Sequence, residues 1–180
     1  MLSLFIILEV LVLIFILVYM VFLVYVAFLS RDVVPYLPTP RRAVRKMMAV
    51  AALKSEDKVA DLGSGNGRLL LEAAKICRDV VGVEKSRYLY LLTRLRARLA
   101  RAKIRMVQGN MYEFDVSDRD VILSFLTTKA LERLKPQFAL LKPGSRIITY
   151  MFNFQDDNFV TSEFEVPRIK KYKVYLKVRK

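Results

Sequence analysis

Histidine and tryptophan are absent from the 180 residues, cysteine occurs once, and glycine and proline occur six times each. Without histidine no imidazole is available as a general base, and no metal site is assigned. The lone Cys77 excludes an intrachain disulfide and fits a reducing compartment. It falls on an apolar helical face, which reads as core rather than nucleophile. Acidic residues are scarce, 17 against 31 Lys and Arg, for a formal net charge of +14. With no tryptophan and no aromatic-rich stacking pattern, that charge favours an anionic membrane surface over nucleic acid. No internal repeat is found, and no low-complexity tract outside one apolar run.

That run is Leu2 to Leu29, whose one charge is Glu9. A bilayer core needs about 20 apolar residues, so the stretch is long enough to span. A secretory signal calls for a basic leader, a shorter apolar core and a small-residue cleavage site, and this stretch has none of them. Taking the span as Val10 to Leu29 leaves Glu9 at the far interface. Tyr19 and Tyr25 fit either interface anchors or plain helix surface. No Lys or Arg precedes the run, whereas Arg31, Arg41, Arg42, Arg45 and Lys46 follow it. The positive-inside rule then places the remainder in the cytoplasm. The expected organisation is a single-pass anchor over 1–30, a juxtamembrane segment with a first helix over 31–57, and a domain over 58–180; the 31–180 remainder is long enough for one domain with a real core.

The most informative motif opens that domain. Val59-Ala60 leads into Asp61-Leu62-Gly63-Ser64-Gly65-Asn66-Gly67, and a second apolar run, Val80-Val81-Gly82-Val83, ends on a lone Glu84. Alternate glycines let a backbone leave a strand sharply at positive φ and present main-chain N–H groups to a bound polar group. An acid closing the next strand suits paired ribose hydroxyls. The dinucleotide fingerprint G-x-G-x-x-G would put its third glycine at Arg68, a bulky charge where helix and strand should pack closely. The register is D-x-G-x-G-x-G, which resembles motif I of the seven-strand S-adenosylmethionine-dependent methyltransferases.

Helix and strand alternate after the motif. Val44, Met47, Met48 and Ala51 recur at helical spacing, with Thr39 as N-cap and Pro40 at the first helical position. The pattern predicts strand 58–62, helix 67–77, strand 80–84, and a helix from Ser86 to about Ala102 with Tyr88, Leu91, Leu92, Leu95 and Leu99 as one apolar stripe. Strand 104–107, strand 120–126, helix 127–135, a type II turn at Lys142-Pro143-Gly144-Ser145 and strand 146–152 follow. Such alternation gives an α/β fold with a parallel sheet covered by helices, and ligands sit outside the carboxyl ends of its strands.

Gln108-Gly109-Asn110-Met111 and Ser124-Phe125-Leu126-Thr127 fall at two further strand ends. In seven-strand methyltransferases the first of these loops meets adenine, so Asn110 offers an amide and Met111 an apolar side chain; an Asx-type turn is the alternative for Asn110. Many enzymes of this class that methylate nucleobase or glutamine-amide nitrogen carry Asn/Asp-Pro-Pro-aromatic at the fourth strand end. This chain does not. A neutral lysine amine needs no such activation, only a site that disfavours its charged form and aligns it with the methyl donor.

Val34-Pro35-Tyr36-Leu37-Pro38-Thr39-Pro40, Asp61 to Arg68, Gly82-Val83-Glu84, Gly109-Asn110 and Phe125-Leu126-Thr127 resemble the family containing archaeal protein-lysine methyltransferases and the mitochondrial ATP synthase c-subunit lysine methyltransferase, over roughly residues 33–155. The resemblance implies a Rossmann-like seven-strand class I methyltransferase sheet, S-adenosyl-L-methionine as cofactor, and Thr39, Asp61, Gly63, Gly65, Glu84 and Asn110 lining its site, with Ser64, Asn66, Gly67 and Met111 beside them. Asn66 stands where the family commonly has Asp. Relatives often carry a Trp after the fifth strand, a space that Phe152, Phe154 or Phe159 can fill. Tyr36, Phe125 and Phe152 are candidates for an aromatic wall around a cationic acceptor; no general base is assigned.

From Arg168 to the end, Tyr172, Val174, Leu176 and Val178 alternate with Lys171, Lys173, Lys177 and Arg179, an amphipathic strand with one basic face, and Glu163–Val166 with Tyr172–Val178 forms a closing hairpin. Arg94, Arg98 and Arg101 add basic residues at helical spacing. The expectation is a membrane-anchored methyltransferase acting on protein lysine, with anionic lipid headgroups as possible contacts. A lipid headgroup, small amine or RNA acceptor, or a non-catalytic cofactor-binding protein, stays open.

Overall fold

The computed structural model describes residues 2–29 and 37–180. The chain divides into two units, Met1–Pro35 and Tyr36–Lys180. In the first, α1 (Leu2–Leu29) is one continuous helix. Its segment Ile6–Val24 has a mean hydropathy of 3.1 over 19 residues, and none of it is buried. At ~1.5 Å per residue this is about 28 Å, close to the thickness of a bilayer core. A membrane span and a signal sequence both fit such a helix.

The second unit contains α2 (Arg41–Ala51), β1 (Lys58–Leu62), α3 (Arg68–Ala73), β2 (Asp79–Glu84), α4 (Arg87–Leu99), β3 (Arg105–Gln108), β4 (Val121–Ser124), α5 (Thr128–Arg133), α6 (Lys135–Phe138), β5 (Arg146–Tyr150), β6 (Phe159–Val166) and β7 (Ile169–Arg179). They build one seven-stranded sheet in the order β3-β2-β1-β4-β5-β7-β6. The first five strands are parallel, β7 runs antiparallel to β5, and β6 pairs antiparallel with β7. Apolar runs in β1, β2, β4 and β5 are buried almost throughout, as befits strands of a parallel sheet. The chain winds outward from β1 to β3, then returns to the other side of β1 with β4. That reversal opens a crevice at the carboxyl ends of β1 and β4.

Several elements differ from their sequence expectation. Pro40, not Thr39, is the N-cap of α2, and no side chain caps that end. The helix expected over 67–77 closes at Ala73, so Cys77 lies beyond it, although still buried. Its Sγ donates to the Lys54 carbonyl at 3.1 Å, and burial pushes the thiol up to about 11, which suits core and not a nucleophile. Thr127 is the N-cap of α5 rather than its first residue. The terminal hairpin is longer than expected, and β7 lies inside the sheet rather than at its edge. Its basic face is therefore spent in part within the fold: Lys177 is buried, its Nζ donating to Thr161 Oγ1 at 2.7 Å and lying 4.4 Å from the centre of the Phe154 ring, while Lys171 stays exposed. Burial holds that ammonium below the usual lysine range.

The largest departure is α4. It turns Thr93 and Ala97 inward, and Tyr88, Leu91, Leu95 and Leu99 are exposed.

Close packing of α3 on the sheet explains Gly82, where a Cβ would lie 2.3 Å from Leu70 Cδ1 and 2.8 Å from Met106 Sδ. Gly82→Ala is expected to destabilise the domain by about 1–3 kcal/mol through overpacking. Thermal unfolding checks this; an unchanged melting temperature contradicts the packing described.

Candidate active site

The crevice is floored by the loop leaving β1. Gly63, Gly65 and Gly67 have φ of 73°, 54° and 72°, a region open to glycine and costly for other residues. The amides of Gly63 and Ser64 both donate to the Val83 carbonyl at 3.0 Å, and the Gly67 amide donates to the Ser64 carbonyl at 2.9 Å. A Cβ on Gly67 would lie 2.4 Å from Thr93 Cγ2, and one on Gly63 would lie 3.1 Å from Leu126 Cδ2 and 3.5 Å from Met111 Sδ. The loop is thus shaped to let neighbours approach its bare backbone.

Glu84 fastens this loop. Its Oε2 accepts from the Gly65 amide and its Oε1 from the Ser86 amide, each at 2.8 Å. Each carboxylate oxygen keeps a second lone pair, so a ligand with vicinal hydroxyls can be accepted without dismantling the loop. Thr93 Oγ1 donates to the Gly65 carbonyl at 2.8 Å, Arg96 donates to the Asn66 carbonyl, and Arg68 donates to the Thr39 carbonyl at 2.8 Å. Thr39, buried, is thereby tied to the start of α3 beside the loop. Sequence reasoning missed Thr93, Arg68 and Arg96. Thr93 is the one small polar residue within α4, which could have marked the face turned to the loop.

Asp61, at the end of β1, is buried, and its carboxyl is pushed up to about 8, first by burial and then by the neighbouring Glu84. A cationic ligand group would reverse that shift by favouring the carboxylate. Ser64 Oγ and Ser124 Oγ are buried without a hydrogen-bond partner among the described residues.

On the other side, Asn110 Oδ1 accepts from the Tyr112 amide at 3.2 Å, and Asn110 Nδ2 donates to Glu113 Oε1 at 2.7 Å. The Asx-type geometry is therefore realised, and the amide is engaged within its own loop. Phe125 and Phe152 stack at 6.5 Å, and Phe125 meets Tyr150 at 5.1 Å, with Tyr172 6.3 Å from Tyr150. Phe154 instead packs between Phe138 and Phe159, at 5.2 and 6.1 Å. Of the three candidates for the missing tryptophan's place, only Phe152 thus joins the cluster of Phe125. Tyr150 and Tyr172 were not anticipated: their adjacency depends on β5 pairing with β7. Tyr36 lies outside the described residues.

The ANTKMT methyltransferase domain family matches residues 61–161. A protein-lysine N-methyltransferase of Saccharolobus islandicus is 37% identical over 130 residues, 69% of this chain and 81% of that protein. Among solved structures, an RNA methyltransferase from Salinibacter ruber in complex with S-adenosyl-L-homocysteine has a TM-score of 0.68 at 27% identity, covering 80% of this chain and 95% of that one. A dimethyladenosine transferase from Plasmodium falciparum has a TM-score of 0.66 at 13% identity, covering 81% of this chain and 64% of that one. This last likeness is one of fold alone.

The state of Asp61 sets a pH dependence. Its folded pKa of about 8 lies above the ordinary 3.8, so between those values the unfolded chain has lost a proton that the folded chain keeps. Stability then falls as pH rises through this window and levels off above it. Asp61→Asn is expected to raise the melting temperature of the ligand-free protein, by an increment that grows from about pH 5 to about pH 9. A pH-independent difference between variant and wild type contradicts this.

Proposed function

The chain belongs to the ANTKMT methyltransferase domain family, and on that premise we propose that it is a membrane-attached S-adenosylmethionine-dependent methyltransferase of protein lysine. The observation that carries the chemistry is the left-handed glycine loop held to Glu84, with the buried Asp61 at its base. A bare backbone cradle, a carboxylate with free lone pairs and a second buried acid fit a nucleoside joined to a cationic amino-acid group.

In this reading Glu84 accepts the ribose hydroxyls, and the bare backbone of the Gly63–Gly67 loop lies against the amino-acid portion. Asp61 takes the negative charge when a cation lies over it, Met111 packs on the base, and Thr39 closes the rim. S-adenosylmethionine, when bound, would supply an electrophilic methyl for direct displacement by an amine, with S-adenosylhomocysteine as the leaving group. The chain's task is alignment and exclusion of water. Phe125 and Phe152, backed by the buried Tyr150, form an apolar wall that disfavours the ammonium form of an entering lysine, and the ring faces of the two phenylalanines suit its methylated, cationic product.

Lysine is favoured by the name of the archaeal relative and by the Ser124-Phe125-Leu126-Thr127 strand end, which lacks the paired prolines and amide of nucleobase-type sites. RNA is the second reading, favoured by the Salinibacter ruber neighbour. Attachment to a membrane rests on α1, with Arg41, Arg42 and Arg45 exposed on α2 after it; the positive-inside rule then makes the domain cytoplasmic.

Purified protein incubated with native membranes and labelled S-adenosylmethionine is expected to place the label on lysine Nζ of a protein, as read by mass spectrometry. Label recovered in RNA or lipid, or no transfer at all, contradicts the proposal. Glu84→Ala is expected to weaken binding of S-adenosylhomocysteine by about 1.5–3 kcal/mol, the range for hydrogen bonds to a charged group. Unchanged affinity removes Glu84 from the ribose site. Release of the chain from membranes by alkaline carbonate contradicts the anchor.

A further inference from the structure

The outer face of α4 has no partner among the described residues of its domain. Tyr88, Leu91, Leu95 and Leu99 are 73%, 50%, 54% and 76% exposed. At 100° per residue these four positions fall within one sector, opposite Thr93 and Ala97, which face the glycine loop and the sheet. The stripe is about 16 Å long at ~1.5 Å per residue. Packing does not require it, because the inner face of the helix uses small residues to approach Gly65 and Gly67. Beside it on the same exposed surface run Arg87, Arg94 and Arg98.

The charge around the stripe has one sign. From Lys85 to Tyr112 there are eight Lys and Arg and no Asp or Glu. The chain leaves α4 through Arg101 into a shallow groove where Lys103 and Arg105 meet Arg78, with Asp79 the one acid on its lining; Asp79 already pairs with Arg119 at 3.1 Å. An apolar row edged by arginines needs a partner that is apolar and anionic together. A second copy of α4 would satisfy the leucines but oppose arginines to arginines. Nucleic acid would satisfy the arginines and leave the leucines wet. A bilayer with anionic headgroups satisfies both, the stripe entering the boundary between headgroups and acyl chains while the arginines stay among phosphates.

We propose that α4 is an interfacial membrane-docking helix whose Tyr88–Leu91–Leu95–Leu99 stripe inserts into an anionic lipid surface. This deepens the reading of a membrane-attached enzyme, because α1 alone would hold the domain near a membrane without choosing which of its faces meets the lipid. Docking through α4 chooses that face.

The full chain, with Cys77→Ala and a single Leu95→Cys carrying an environment-sensitive fluorophore, is reconstituted into phosphatidylcholine vesicles with or without phosphatidylserine. Quenching by lipid-borne nitroxide reports insertion of the stripe; carbonate-resistant association of the same samples reports α1 separately. The expected result is several-fold stronger quenching in the phosphatidylserine vesicles, lost in Arg94→Glu/Arg98→Glu, and absent from a control label at Ser162→Cys on β6. A label at Leu95→Cys that stays unquenched in phosphatidylserine vesicles overturns the proposal, as does disulfide formation between unlabelled copies of the Leu95→Cys variant, which makes the stripe a self-association surface. Quenching without carbonate resistance supports docking while sinking the anchor; carbonate resistance without quenching does the reverse.

Discussion

Thr93 presses on the glycine loop, and much of the domain is arranged around that contact. Its methyl fills the space where a side chain on Gly67 would be, and its hydroxyl donates to the Gly65 carbonyl. A loop so tightly packed can be held only in the left-handed conformations that glycine tolerates. Glu84 completes the restraint from the sheet side by accepting the Gly65 amide. Organised in this way before any ligand arrives, the loop need not spend binding energy on its own ordering. The same close approach limits the buried positions of α4 to Thr93 and Ala97, and Tyr88, Leu91, Leu95 and Leu99 are directed away from the protein.

Electrostatics follows from this packing. Two carboxylates, Asp61 and Glu84, are buried near one another at the ends of adjacent strands. Glu84 is satisfied by two backbone amides, whereas Asp61 is driven toward its neutral form. The crevice is therefore asymmetric, with one acid engaged in holding the loop and the other poised to answer a cation. Outside the crevice the balance is reversed, since the chain as a whole is strongly basic. Part of that charge is consumed internally: Arg146 links Asp57 at 2.6 Å to the carbonyls of Ala51 and Ala52, and Lys173 pairs with Glu163 at 2.6 Å. Arg87, Arg94 and Arg98 of α4 remain on the surface.

What was legible in the sequence was what local chemistry determines. Gly63, Gly65 and Gly67 announce a left-handed turn because few other residues tolerate it, and the apolar runs ending at Leu62 and Glu84 give two adjacent parallel strands. The turn at Lys142–Ser145 is likewise visible, with Gly144 at φ 83° and the Ser145 amide donating to the Lys142 carbonyl at 3.0 Å. Features that depend on distant pairing were not legible. The leucines of α4 form a stripe in any reading, but helical periodicity does not say which way a stripe faces. The alternation of Lys171 to Arg179 gives an amphipathic strand with one basic face, but that Lys177 is covered by Phe154 shows only once β7 is placed between β5 and β6. The grouping of Tyr150 and Tyr172 with Phe125 likewise exists only once β5 pairs with β7.

We propose that the loop braced by Glu84 and Thr93 binds the adenosyl-sulfur cofactor of a methyltransferase and not a dinucleotide. The most direct test is calorimetric titration of the full-length protein with S-adenosylhomocysteine and, separately, with NAD. Saturable binding of S-adenosylhomocysteine, with no heat from NAD, is predicted. Binding of NAD with no response to S-adenosylhomocysteine would contradict the account.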